Sequence, residues 1–301
     1  MEGENFEAIW YRVLTLTERI ASLGAGKTLV QNGFDAKLSD RRWQRWRSQY
    51  PLTNPTYFAQ RLALDKISES EFRYLLGEPI KGLAKRHIGN LVWLQELKQV
   101  FVSSDESSLK NIWPNKGFLC AIAPLIARGF KYLYPEIKKL DKLPISDDDS
   151  IIESILLAFL PDRLFWMFDR TMMLECNVAH LQGLLSGETP QERFDNFQKR
   201  LQNPETCISL LQEYPVLARQ VVICIDRWVK VSLEFIKRLR ADWPVICSEL
   251  NNGIEPGFLV EINNNIGDSH NGGRTVVIAK FSSGFQVVYK PKPLAVDLHF
   301  Q

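Results

Sequence analysis

The hydrophobic period of this chain switches near Asn251-Asn252-Gly253, from the spacing of helices to that of strands. From Glu7 to about Asn251, apolar residues recur at three and four positions, which buries one face of a helix. Beyond the switch, branched and aromatic residues come in short runs separated by turn formers. Phe258 to Ile262 is strand-like, Asn263 to Gly273 is rich in turn residues, and Thr275 to Phe281 is again strand-like. Ser282-Ser283-Gly284 then turns the chain into Phe285 to Lys290. The expected fold is α+β and mostly α-helical, with residues 1–250 helical and residues 251–301 an antiparallel β-meander. The gap between the two parts leaves little room for a linker, so the meander should pack directly on the helices.

Local signals place several helix ends. Ser68 and Glu71 form a capping box, and Asn54-Pro55 pairs an N-cap with a proline at the first helical position. Thr189-Pro190-Gln191-Glu192 combines both devices, and Ser146 to Asp149 repeats the box logic. A long helix is expected from about Arg163 to Leu185, closed near Gly187. After Tyr214-Pro215, the residues Val222, Ile225, Val229, Leu233 and Ile236 form one buried stripe.

The 37 basic and 35 acidic side chains leave a net charge of +2, so any anion site must be local rather than the product of a global field. Five widely spaced cysteines with no C-x-x-C pair read as buried thiols of a cytoplasmic protein. The four histidines are too far apart to suggest a zinc motif. The acidic N-terminus lacks the regions of a signal peptide. The most apolar windows are broken by Pro124 and Arg128, or by Pro161, Asp162 and Arg163, so no membrane span is expected.

Alternation in the third strand puts Gln286, Val288 and Lys290 on one face and Phe285, Val287 and Tyr289 on the other. Val288 could face a nucleobase while Lys290 reaches phosphate, and Gly267, Gly272 and Gly273 would let backbone N–H groups approach phosphate oxygens. An ordinary meander ending in a solvated lysine would carry the same pattern. Asp268 and His270 lie in the expected loop, where a carboxylate repels phosphate and so points to catalysis or metal contact, and where His270 could exchange a proton. Asp and His also simply suit a glycine-rich turn.

Two other motifs read as structural. Gly24-Ala25-Gly26-Lys27-Thr28 ends like a P-loop, but Ala21 stands where the leading glycine belongs and the preceding residues are helical. The run from Arg41 to Arg47 could suit single-stranded nucleic acid, yet Trp43 and Trp46 are three apart and fit packed rings under a basic rim. No nucleic-acid partner is therefore expected. RTMMLECNVA, Arg170 to Ala179, reads as a core-facing helix, with Glu175 as a candidate ion-pair partner.

The ordered blocks RTMMLECNVA, SGETPQERFDNF, EYPVLAR, Arg238-Leu239-Arg240-Ala241-Asp242, GDSHNGGRTV, FSSGFQVVYKPK and VDLHFQ resemble the dehydratase region of class II (LanM-type) lanthipeptide synthetases. The resemblance implies a dehydratase built like a lipid kinase with added helices, the meander being part of its N-lobe. Such an enzyme uses ATP and Mg²⁺ to phosphorylate Ser and Thr of a ribosomal precursor peptide, then eliminates phosphate to give dehydroamino acids. On the resemblance, Lys290 is the phosphate-contacting lysine, and Asp268 and His270 belong to the elimination step. Lys292 stands where the family usually has arginine, which keeps the charge and loses a bidentate fork.

The chain ends at Gln301, before the family's catalytic loop, metal-binding acids and zinc-dependent cyclase. An N-terminal part of the dehydratase, inactive alone and completed by a missing or separately encoded remainder, is the expectation. The alternative is a non-catalytic module that binds a precursor peptide or another partner.

Overall fold

A computed structural model of the chain describes residues 8–23, 33–87, 91–103, 117–140, 144–146, 148–160, 162–292, 295 and 299. The P-loop-like stretch Gly24 to Thr28 and most of VDLHFQ lie outside them. The helices are α1 (Leu16–Ala21), α2 (Ala36–Arg47), α3 (Pro55–Leu64), α4 (Glu69–Gly77), α5 (Ile80–His87) and α6 (Val92–Ser103). They continue with α7 (Ala123–Lys138), α8 (Asp149–Ala158), α9 (Asp162–Leu181), α10 (Pro190–Leu201), α11 (Pro204–Glu213) and α12 (Pro215–Val245). A π-helical turn, Ile246–Leu250, ends α12, and the strands β1 (Leu259–His270), β2 (Arg274–Phe281) and β3 (Gln286–Tyr289) follow. The expected mostly helical fold with a C-terminal antiparallel meander is thus observed.

The change of period near residue 250 marks where helix gives way to strand, but compact units divide elsewhere. Met1–Glu96 and Leu211–Arg219 form one unit, and Leu97–Leu210 with Gln220–Gln301 form the other. The sheet therefore belongs with the later helices, because its apolar face is covered by them.

In the first unit, Trp43, Phe58, Leu62, Phe72 and Leu76 form a buried cluster. Trp43 meets Phe58 edge-on at 4.8 Å, and the Arg73 guanidinium lies 4.2 Å over the Trp43 ring. The basic, aromatic run is thus a packed helix face with charges at its rim. The capping boxes at Ser68 and Thr189 and the N-cap at Asn54 form as expected. The Ser146 device does not: Asp148 is the N-cap of α8 and accepts from Ser150 N.

Helix α9 ends at Leu181, earlier than expected. Gly183, with φ +68°, donates to the His180 carbonyl while Leu184 donates to Ala179, a Schellman closure. Gly187 serves a different need: a Cβ there would lie 2.5 Å from Glu192 Cβ, so it allows α10 to start close by. On α12 the apolar band is broader than the expected stripe. Val222, Ile225 and Ile236 are buried, and so are Val221, Trp228, Phe235 and Leu239.

The sheet order is β1-β2-β3, antiparallel throughout. Alternation on β2 buries Val277, Ala279 and Phe281, and Phe281 packs on Trp243 of the α12 tail at 5.4 Å between ring centres. Tyr289 of β3 packs on Phe235 at 5.4 Å. Ile145 makes a parallel bridge to Leu259, whose N–H donates to the Pro144 carbonyl at 2.7 Å. Phe281 and Gly284 close the β2–β3 turn, with Gly284 at φ +87°.

The expected glycine-rich loop at 263–273 is corrected. β1 has 12 residues against 8 in β2, and register shifts after Leu259, Asn263 and Ile266 absorb the excess as bulges. Only Asn271-Gly272-Gly273 turns, all at positive φ. Turn-forming residues sit in β1 because pairing with β2 satisfies their backbone groups, and bulges tolerate poor strand formers.

Candidate functional site

The β1–β2 turn and the second half of β1 form one wall of a cleft of about 420 Å³, whose other wall comes from α9 and α12. Asp268, His270, Gly272 and Gly273 line it, as do Arg163, Arg227 and Cys224. Asp268 and His270 are exposed and belong to β1 itself, as does Gly267. A Cβ on Gly273 would touch Arg227 Cβ at 3.7 Å, so bare backbone at the turn comes close to α12.

The structure divides the residues singled out from sequence between two sides of the sheet. Phe285, Val287 and Tyr289 are half-buried toward the helices, whereas Gln286, Val288 and Lys290 are exposed on the other side. Val288 and Lys290 therefore share a face, but they do not line the cleft that holds Asp268 and His270. Lys290 pairs with no carboxylate among the described residues.

A polar network fixes this end of the sheet to α12. Glu234 accepts from Arg274 Nη2 at 2.5 Å and Nε at 3.0 Å, and its other oxygen lies 2.6 Å from Arg238 Nη2. Arg238 Nη1 donates to the Tyr289 hydroxyl at 2.6 Å, and Arg274 also donates to the Asn271 carbonyl. Burial pushes the Tyr289 phenol up, with Arg238 opposing. The network joins the residue before Lys290 to the residue after the glycine turn, which orients both.

Sequence reasoning missed Arg163 and Arg227. Among the described residues neither has a carboxylate partner, and they supply positive charge to a cleft that also contains Asp162 and Asp268. Nothing in the local sequence flagged them, since both lie far along the chain from β1. Cys224 beside them is no activated nucleophile: burial pushes its thiol up despite the two arginines. Phosphate could be held here by the guanidinium groups and turn backbone, with Asp268 and His270 able to accept or give protons.

Among the described residues, no single helix is long and apolar enough to cross a membrane. Residues 214–301 match a protein family described as a domain of unknown function, DUF4135. That match contains α12 and all three strands. The chain is also similar to the lacticin 481/lactococcin biosynthesis protein LcnDR2 of Lactococcus lactis subsp. lactis, at 23% identity over 161 residues. The aligned stretch is 53% of this chain and 17% of that protein, so the chain spans well under two thirds of its relative. Sequence similarity thus relates the chain to a protein of lantibiotic biosynthesis.

Proposed function

We propose that this chain is the N-terminal part of a dehydratase of the lanthipeptide type, acting on a ribosomal precursor peptide. Ser and Thr hydroxyls are first phosphorylated, and the phosphate is then eliminated. One observation carries the reading: the sheet register brings Lys290 to the same end of the sheet as Asp268 and His270. Tyr289 pairs with Val277, so Lys290 enters the row of Val276, whose partner on β1 is Ile266. Two strand spacings, about 10 Å, separate Lys290 from the Ile266 position, and Asp268 and His270 follow on β1 at the same end of the sheet, on its cleft side. The similarity over 214–301 and to the lacticin biosynthesis protein supports the same reading.

The exposed face with Val288 and Lys290 suits ATP, offering an apolar side chain and an ammonium that has no carboxylate partner among the described residues. No group of three or more His, Cys, Asp or Glu side chains able to hold a metal is found among the described residues, so Mg²⁺ is assigned no ligands and no step here. ATP supplies the phosphoryl group. Lys290 places positive charge where negative charge accumulates during transfer. In the elimination, a base removes the Cα proton of the phosphorylated residue, the Cβ–O bond breaks, and phosphate leaves with a proton from an acid. Asp268 and His270 are assigned to those proton transfers, and Arg163 and Arg227 to holding the leaving phosphate.

The test uses the full-length gene product with ATP, Mg²⁺ and a candidate precursor, followed by peptide mass. Lys290→Ala should abolish both phosphorylated and dehydrated peptide. Asp268→Asn or His270→Ala should let phosphopeptide accumulate. Unchanged dehydration by Lys290→Ala would refute the assignment.

A further inference from the structure

The first unit contains a separate pocket of about 380 Å³. Its floor is aliphatic, with Leu14, Leu75 and Leu76 buried beneath it and Trp46 at one side. Its rim carries Arg19, Arg42 and Arg45, and no acidic side chain among the described residues lines it. Carbonyl groups hold two of these cations in place without neutralising them. Arg19 donates to the Leu14 and Arg12 carbonyls at 3.0 and 3.2 Å, and Arg42 donates to the Leu76 carbonyl at 2.7 Å. Each retains unused N–H donors.

The two acids that act on Arg19 are each ion-paired with another arginine. Glu78 pairs with Arg86 at 2.5 Å, and Glu18 with Arg219 at 2.6 Å. Among the described residues, no carboxylate forms an ion pair with Arg19, Arg42 or Arg45. Burial, then the neighbouring Arg42, pushes the Arg19 guanidinium below its ordinary value, partly offset by Glu78. Among the described residues, Glu78 and Glu18 act on Arg19 only from a distance, and the three guanidinium groups are left without a direct ion pair.

We propose that the pocket binds an acidic peptide segment, seating an aliphatic side chain on the leucine floor and carboxylates on Arg19, Arg42 and Arg45. Charge complementarity and the fork geometry of arginine favour carboxylates. Single-stranded nucleic acid fits less well, because it needs successive exposed aromatic faces. Trp43 is buried, and Trp46 is half-buried with its ring edge-on to Phe72 at 5.7 Å.

Fluorescence anisotropy of the full chain with a labelled synthetic peptide alternating Glu and Leu tests this directly. Saturable binding that weakens with added salt is expected. Arg45→Glu should weaken it about tenfold. Arg45 is exposed, and its side chain makes no hydrogen bond among the described residues, so an unchanged thermal midpoint should accompany that loss. Arg41→Glu, on the same helix but outside the pocket lining, should bind as the parent does. Equal affinity of parent and Arg45→Glu would overturn the proposal. So would a Gln/Leu peptide that binds as tightly, or tighter binding of labelled oligothymidine. The assay reads binding alone, so its failure is distinct from failure of the dehydratase reading.

Discussion

Gly129 lies inside α7, where alanine would ordinarily be the better helix former by about 1 kcal/mol. A Cβ there would meet Trp228 Cζ3 at 2.4 Å, Trp228 Cε3 at 3.1 Å and Val229 Cγ2 at 3.2 Å. Restoring normal contact requires the indole to move by about 1 Å. Trp228 is 2% exposed, donates Nε1 to the Leu156 carbonyl at 2.8 Å, and meets Phe130 edge-on at 5.2 Å. Weakening that hydrogen bond costs about 1 kcal/mol, and overpacking of this kind costs about 1–3 kcal/mol. Set against the helix gain, Gly129→Ala should destabilise the protein by about 1–3 kcal/mol. Urea unfolding followed by circular dichroism measures it. In a Trp228→Phe background the smaller ring leaves room, and the same substitution should become neutral or stabilising. A Gly129→Ala midpoint equal to or above wild type, or an equal cost in both backgrounds, would refute this account of the helix contact.

Burial alone would raise the Glu18 carboxyl, but the Arg219 fork and the Thr15 backbone and hydroxyl outweigh it and hold the pKa at about 2, against an ordinary 4.5. The depressed value contributes stability above about 4.5 that is lost as pH falls toward about 2. Because the group is partly exposed, that contribution is about 1 kcal/mol after screening. Glu18→Gln should flatten the stability profile in this window, and an unaltered slope would count against the ion pair. Burial pushes the Cys207 thiol up to about 12, so it should resist a thiol reagent in the native protein and react only on unfolding. Labelling of native Cys207 at the rate of a free thiol would contradict its burial.

Local chemistry was the most legible part of the sequence. Ser68, Asn54 and Thr189 cap their helices through partners within three residues, so nothing distant could move them. The end of α9 reads as Gly187 from sequence, whereas Gly183 makes the closure and the packing of α10 gives Gly187 its other purpose. Asn263 to His270 read as loop because strand identity there comes from pairing with β2, a contact that composition does not announce. The face of Lys290 followed from simple alternation, whereas its separation from the Asp268 cleft depended on where α12 packs. Arg163 and Arg227 were invisible for the same reason: the sheet and two helices must assemble before their charges converge.

Among the described residues β1 and β3 flank the meander, with β1 partly covered at Leu259 by Pro144 and Ile145, and features of both strands oppose pairing with a neighbouring molecule. β1 is interrupted by three register shifts, so its outer row of amides and carbonyls cannot present a flat template. β3 is four residues long and is followed by the charge of Lys290 and by Pro291, which has no N–H to offer. Both edges therefore disfavour growth of the sheet by strand addition. The lysine assigned to phosphate contact also discourages aggregation through β3.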